Sequence, residues 1–233
     1  MLDALQIMRD HFNNRLCLLD GAAHWWTGTL WEPVPDEGLR KHIGMACAGG
    51  VKVTSARIAG TLSVFKDQIL HLSGANQESG SVFFANGTYR AGVLKPHSQD
   101  NKNTRNLPVT YDTTTPPPTL WAEWLNTIFD GETDRIDLLQ EIMGWALCRD
   151  NLGIEKAALF IGPTRAGKGV IIKILRALLG TAATSCIFGS LADDKQLASM
   201  RNSNIAIDSD AVSPDRHSAK AVVGVFNKIT ANE

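Results

Sequence analysis

The feature that most constrains this chain lies near its residue 165. Ala157-Ala-Leu-Phe-Ile161 is a short apolar run, and Gly162-Pro-Thr-Arg-Ala-Gly-Lys168 follows directly. Val170, Ile171, Ile174, Leu175 and Leu178 then recur at helical spacing as far as Gly180. The run is apolar on both faces, which predicts a buried parallel strand. The periodicity predicts a helix stopped by Gly180. Strand, glycine loop and helix in that order make a phosphate loop. Its glycines are expected to turn the backbone so that several N–H groups face one anion. The helix N-terminus adds partial positive charge and Lys168 a full one. The nucleotide-binding candidates are therefore Gly162, Pro163, Thr164, Arg165, Ala166, Gly167, Lys168, Gly169 and Val170.

One position departs from the pattern. The residue after the lysine is ordinarily Ser or Thr, whose hydroxyl ligates Mg²⁺. Here it is Gly169, and the nearest loop hydroxyl is Thr164. Magnesium binding is then expected either to be weakened or to depend on acids elsewhere. Asn204-Ile-Ala-Ile-Asp208-Ser-Asp210 is a second apolar run ending in two carboxylates. Such an acid, at the end of a strand beside the first, holds Mg²⁺ or orients water. Period-two spacing puts Asp208 and Asp210 on one face if the strand stays regular. The catalytic candidates are Lys168, Asp210 and Asp208, and the two acids are the candidate metal ligands.

The rest of the sequence is organised around Thr113-Thr-Thr-Pro-Pro-Pro-Thr119, which cannot continue a helix or a central strand. It predicts a linker between a small mixed α/β domain (1–112) and a second domain (120–233). In the first domain, Leu2, Leu5, Met8, Phe12 and Leu16 have helical spacing. His24-Trp-Trp-Thr-Gly-Thr-Leu-Trp31 predicts a hairpin whose tryptophans serve mainly as core. Helices are expected near residues 37–45 and 55–70. Asn86-Gly87 predicts a hairpin turn between strands in 81–90. Residues 97–106 read as polar loop. In the second domain, 120–129 and 136–147 are amphipathic, with Ile136, Leu139, Ile142, Met143 and Ala146 on one face.

Composition narrows the function classes. Net charge is −1, with 23 Lys+Arg against 24 Asp+Glu, so the chain is no basic nucleic-acid module as a whole. No apolar run reaches the ~18 residues that span a bilayer, and the N-terminus lacks a signal-peptide pattern. A cytoplasmic protein is expected. Cys17, Cys47, Cys148 and Cys186 are widely spaced, which predicts free thiols rather than a metal or disulfide framework.

Several segments together resemble the phage and plasmid primase-helicase group of superfamily 3 helicases. They include Asn86-Gly-Thr-Tyr-Arg-Ala-Gly-Val-Leu-Lys-Pro-His97, Leu107-Pro-Val-Thr-Tyr-Asp112 and Leu139-Gln-Glu-Ile-Met-Gly-Trp-Ala-Leu147. The loop Gly162-Pro-Thr-Arg-Ala-Gly-Lys-Gly169, Ser190-Leu-Ala and residues 205–211 complete the order. The resemblance lies mainly in residues 80–233 and is weak before them. It implies an AAA+-like α/β ATPase domain behind a small mixed domain, with ATP and Mg²⁺ as ligands. It also implies single- or double-stranded DNA as track, a hexamer in the intact family, and a separate primase as partner. A phage or prophage protein in the bacterial cytoplasm fits this picture. By the match Asp210 is the better acid.

Lys228-Ile-Thr-Ala-Asn-Glu233 resembles the beginning of the family's DNA-contacting motif. The polar sensor and the arginine finger are expected after it, so the sequence reads as a C-terminally truncated motor. Two other readings remain open at this point. One is a non-catalytic nucleotide-binding scaffold, favoured by Gly169 and Val170. The other is a nucleotide kinase, disfavoured because no Asp-Gly-Phe-Pro-Arg-like segment or Arg-rich lid follows the loop.

Overall fold

The computed structural model describes residues 15–19, 21–47, 54–68, 70–72, 80–148, 153–201 and 203–231. The helical pattern expected over residues 2–16 falls almost wholly outside them, and elements are numbered over the described residues. The chain is mixed α/β with small sheets and packs as two compact units. One comprises residues 1–77 and 97–106, the other 78–96 and 107–233. No helix among the described residues is long and apolar enough to cross a membrane.

The first unit holds β1 (Leu16–Leu19), β2 (Ala22–Trp26), β3 (Trp31–Pro33) and β4 (Leu70–Leu72), in the order β3-β2-β1-β4. β1 pairs antiparallel with β2 and parallel with β4. A parallel partner needs a crossover, and α1 (Asp36–Cys47) and α2 (Ser55–Gln68) supply it. Successive β1 residues point to opposite faces, and both faces are buried. Leu16 and Leu18 meet Leu39, Ile43, Leu62 and Phe65. Cys17 and Leu19 meet Trp26 and Trp31. The expected hairpin is present, with Trp26 opposite Trp31 and Gly28 at φ 107° in the turn. Trp26 and Trp31 are core, whereas Trp25 is exposed. The polar loop 97–106 is anchored here: Trp31 donates its backbone N–H to Asn103 O (2.7 Å) and its Nε1–H to Gln99 O (3.0 Å). Burial pushes the Cys17 thiol up to about 12, so it is a packing residue.

The second unit opens with β5 (Val82–Phe84), β6 (Gly87–Arg90) and β7 (Val93–Lys95), a three-stranded antiparallel meander. Phe84 pairs with Gly87, so Ala85 and Asn86 form the turn rather than Asn86-Gly87. Gly87 serves a different need: a Cβ there would lie 2.5 Å from Lys95 O. The turn with two left-handed residues is the next one, Ala91 (φ 47°) and Gly92 (φ 86°), as a type I′ hairpin requires. Asn86 instead grips the chain ahead, donating to Tyr111 O (2.9 Å) and accepting from Tyr111 N–H (3.0 Å). With Leu107 N–H to Phe83 O and Ala85 N–H to Val109 O, residues 107–111 lie along the meander.

Those bonds show why the compact units do not divide at the proline stretch. Val82, Phe84 and Leu107 share one core with α3 (Thr119–Ile128), α4 (Thr133–Leu147) and α5 (Lys168–Leu179). Burial of that shared apolar surface holds the segments on both sides of the prolines in one unit. α3 ends as sequence rules expect: Asp130 (φ 52°) and Gly131 (φ 73°) are left-handed, and Gly131 N–H reaches Asn126 O. Leu139, Met143 and Ala146 are the buried stripe of α4.

The apolar run 157–161 is not a buried strand. Residues 154–163 join no ladder; Leu159 is 74% and Ile161 87% exposed. A strand exists only through a paired neighbour. Instead β9 (Ile205–Ile207) pairs in parallel with β8 (Ala183–Ser185). The second strand, expected beside residues 157–161, thus pairs instead with β8, and both strands follow α5. The remaining helices are α6 (Asp194–Met200) and α7 (Ala219–Ala231).

Core and surface leucines of the second unit make a direct test of this packing. Leu125 is fully buried and Leu138 is 56% exposed. Leu125→Ala should lower the unfolding free energy by about 2–5 kcal/mol, and Leu138→Ala by less than ~0.5 kcal/mol. Equal losses in denaturant titrations would contradict the arrangement.

Candidate nucleotide-binding site

The loop is built from its right-hand end. Gly167 caps α5 at φ 85°, a conformation without cost only for glycine. Its missing side chain also matters, because a Cβ there would sit 2.9 Å from Trp124 Cζ2 and 3.5 Å from Ile128 Cδ1. Trp124 in turn stacks on Trp121 (centroids 5.1 Å apart, 25° between planes). Helix α3 is therefore the wall on which the loop rests, a role not read from the sequence. Gly162 has no such requirement. It is not left-handed, and a Cβ there would meet only Ala166 Cβ and the Lys168 ammonium at ordinary distances. The second left-handed residue is Arg165, at φ 64°. Left-handed residues alternating with right-handed ones turn successive N–H groups to one side, a geometry that favours anions. The N–H groups of Arg165 and Gly167 donate to no other described residue.

Lys168 folds back over the loop. Its ammonium donates to Gly162 O and Pro163 O, both at 2.7 Å. Helix α5 then buries Ile171, Leu175 and Leu179, while Val170, expected on that apolar face, is 44% exposed. Gly180 ends the helix at φ 55° against Pro108.

The acids come from the turn after β9. Asn204 sets this strand in place: its N–H donates to Ala182 O, and its Nδ2 reaches the carbonyls of Ala146 and Leu147. Those are among the last carbonyls of α4, which lack partners within the helix. Asp208 does not share a face with Asp210 in a regular strand. Its Oδ2 accepts from Phe188 N–H (2.7 Å) and its Oδ1 from Asp210 N–H (3.0 Å). The second bond turns the chain after Ile207, so the period-two expectation fails beyond the strand end. Both Asp208 oxygens hold backbone in place. The Asp210 side chain makes no hydrogen bond among the described residues.

The turn carries Asp210 into a cleft of about 480 Å³ that it shares with Thr164, Arg165, Lys168 and Gly169. Ser209 lines the cleft as well, so a hydroxyl and a carboxylate are both available there. These are hard oxygen donors of the kind Mg²⁺ takes, and Asp210 is the one carboxylate among the residues that line the cleft. Lys173 and Arg176, one and two turns along α5, complete the wall. Sequence reasoning overlooked them, although their spacing from Lys168 on one helix was a usable signal. Gly162, Pro163 and Val170 do not line the cleft.

The two acids should separate by experiment. Asp208→Ala leaves two backbone N–H groups without acceptors and should cost about 1–3 kcal/mol in stability. Asp210→Ala should leave stability unchanged, and a comparable loss for Asp210→Ala would overturn this division of labour.

Comparison with known families adds an independent finding. A family model described as D5 N terminal like matches residues 6–130, more than half of the chain. No curated protein matches it. The span runs from the N-terminal segment through the meander and α3 and stops short of the loop 162–168. It includes residues 6–80, where the resemblance to the primase-helicase group is weak. The chain belongs to the D5 N terminal like family, the N-terminal region of phage and plasmid primase-helicase proteins.

Proposed function

We propose that the second unit binds ATP at the loop 162–168, and that the chain acts as part of a helicase-type ATPase in phage or plasmid DNA replication. The observation that supports this reading is the shared cleft, which Arg165 of the left-handed loop, Lys168 and Asp210 all line, the Asp210 side chain making no hydrogen bond among the described residues. Lys168 would exchange its two carbonyl acceptors for phosphate oxygens, a charge-assisted exchange that favours the ligand. Asp210, with Ser209 beside it, would hold Mg²⁺, and Asp208 would keep the acid-bearing turn in register. Magnesium would supply charge neutralisation and polarisation of a phosphoryl oxygen. Membership of the family supports the replication setting, and an AAA+-like, hexameric, DNA-tracking motor is the finer form of the proposal.

A non-catalytic nucleotide scaffold is the second reading. Gly169 favours it, as does the apolar run 157–161, which joins no sheet. One pair of assays decides. Lys168→Ala should abolish binding of a fluorescent ATP analogue without changing the melting temperature; unchanged affinity sinks the site. ATP turnover stimulated by single-stranded DNA supports the motor, and binding without turnover supports the scaffold.

A further inference from the structure

The cleft is lined by four basic side chains, Arg165, Lys168, Lys173 and Arg176, against one carboxylate, Asp210. Three of the four lie on α5, whose twelve residues include no acid. Lys168 stands at the helix start, whose partial positive charge favours acids rather than cations, whereas Arg176 lies in the last turn, where the dipole accepts a cation. Lys173 makes no ion pair or hydrogen bond among the described residues. Arg176 donates from Nη2 to Ser185 Oγ at 3.0 Å, which holds its guanidinium beside β8. Uncompensated cations around a cavity call for an anionic ligand with charge spread along its length.

A phosphate loop of the usual kind leaves part of that charge to magnesium, held by the hydroxyl after the lysine. Here that position is Gly169, and a Cβ there would meet nothing within 4 Å. The space is open, and the fixed positive charge lies further along the helix instead. We propose that this cleft binds the triphosphate tail of a nucleotide without requiring magnesium, with Lys173 and Arg176 contacting phosphate in the metal's place. The proposal rests on the nucleotide reading given above and deepens it. Arginine suits the task, since its planar fork matches phosphate oxygens and it is always charged. Asp210 stays available for magnesium, so metal-free binding and metal-dependent hydrolysis become separable properties of one site.

The test measures ATP affinity of the full chain by calorimetry, once in Mg²⁺ and once in EDTA. Inorganic triphosphate serves as a second probe. Affinity in EDTA should stay within about tenfold of that in Mg²⁺ for both probes, because charged hydrogen bonds of this kind replace a comparable interaction. Lys173→Gln and Arg176→Gln should each weaken binding in EDTA by roughly tenfold and in Mg²⁺ by clearly less. Lys173→Gln disturbs no contact of the fold, so its result stands even if Arg176→Gln loosens β8. Gly169→Ser should restore a magnesium advantage. Binding in Mg²⁺ alone, or equal losses in both buffers for Lys173→Gln, overturns the proposal and leaves the nucleotide site standing. Absence of binding in both buffers sinks the site itself and the proposal with it.

Discussion

The loop rests on a contact that only a hydrogen atom at Cα permits. Gly167 is left-handed, and the Trp124 ring lies where any larger residue would place its Cβ. That contact seats the start of α5 against α3. The position of Lys168, the direction of the helix and the burial of Ile171, Leu175 and Leu179 follow from it. A rigid aromatic wall costs little conformational entropy to order, and the Trp121–Trp124 stack supplies one. Arg165 stores the strain in this arrangement. A non-glycine residue in the left-handed region costs on the order of 1 kcal/mol, and such strain gathers where backbone must face a ligand.

The far side of the cleft is organised by hydrogen bonds rather than by apolar contact. Asn204 caps carbonyls at the end of α4 and starts β9 beside β8. Asp208 then uses both oxygens to hold the turn. Two acids separated by one residue thus have different work. One is consumed by backbone donors; the other projects into a cleft dominated by cations. The distinction is invisible in residue type and follows from which oxygen atoms already have partners.

The helices were legible because amphipathic periodicity and glycine stops are local properties. The 120–129 and 136–147 patterns became α3 and α4, and Gly180 closed α5. The His24–Trp31 hairpin was legible for the same reason. Strand pairing was not: residues 157–161 have the composition of a buried strand but no ladder partner, and pairing is a property of two segments. Asn86-Gly87 illustrates a subtler failure. The dipeptide sits in a hairpin, yet the register moves the turn back by one residue. Gly87 is then needed for the approach of Lys95 O, and Asn86 for Tyr111.

By itself the sequence determined the mixed α/β class and the approximate spans of α1 to α5, and it singled out Lys168, Asp208 and Asp210 as candidates. Each depends on spacing along the chain or on the chemistry of one side chain. Only the tertiary structure decided that the proline stretch is not where the units divide, since Leu107, Val109 and Tyr111 pack into the core of α3, α4 and α5. It also showed that Asp210, the acid the resemblance favoured, lines the cleft whereas Asp208 does not, and that Lys173 and Arg176 line it too. The reason is common to all three: burial, acceptor occupancy and the meeting of distant charges depend on separations in space that no local pattern encodes.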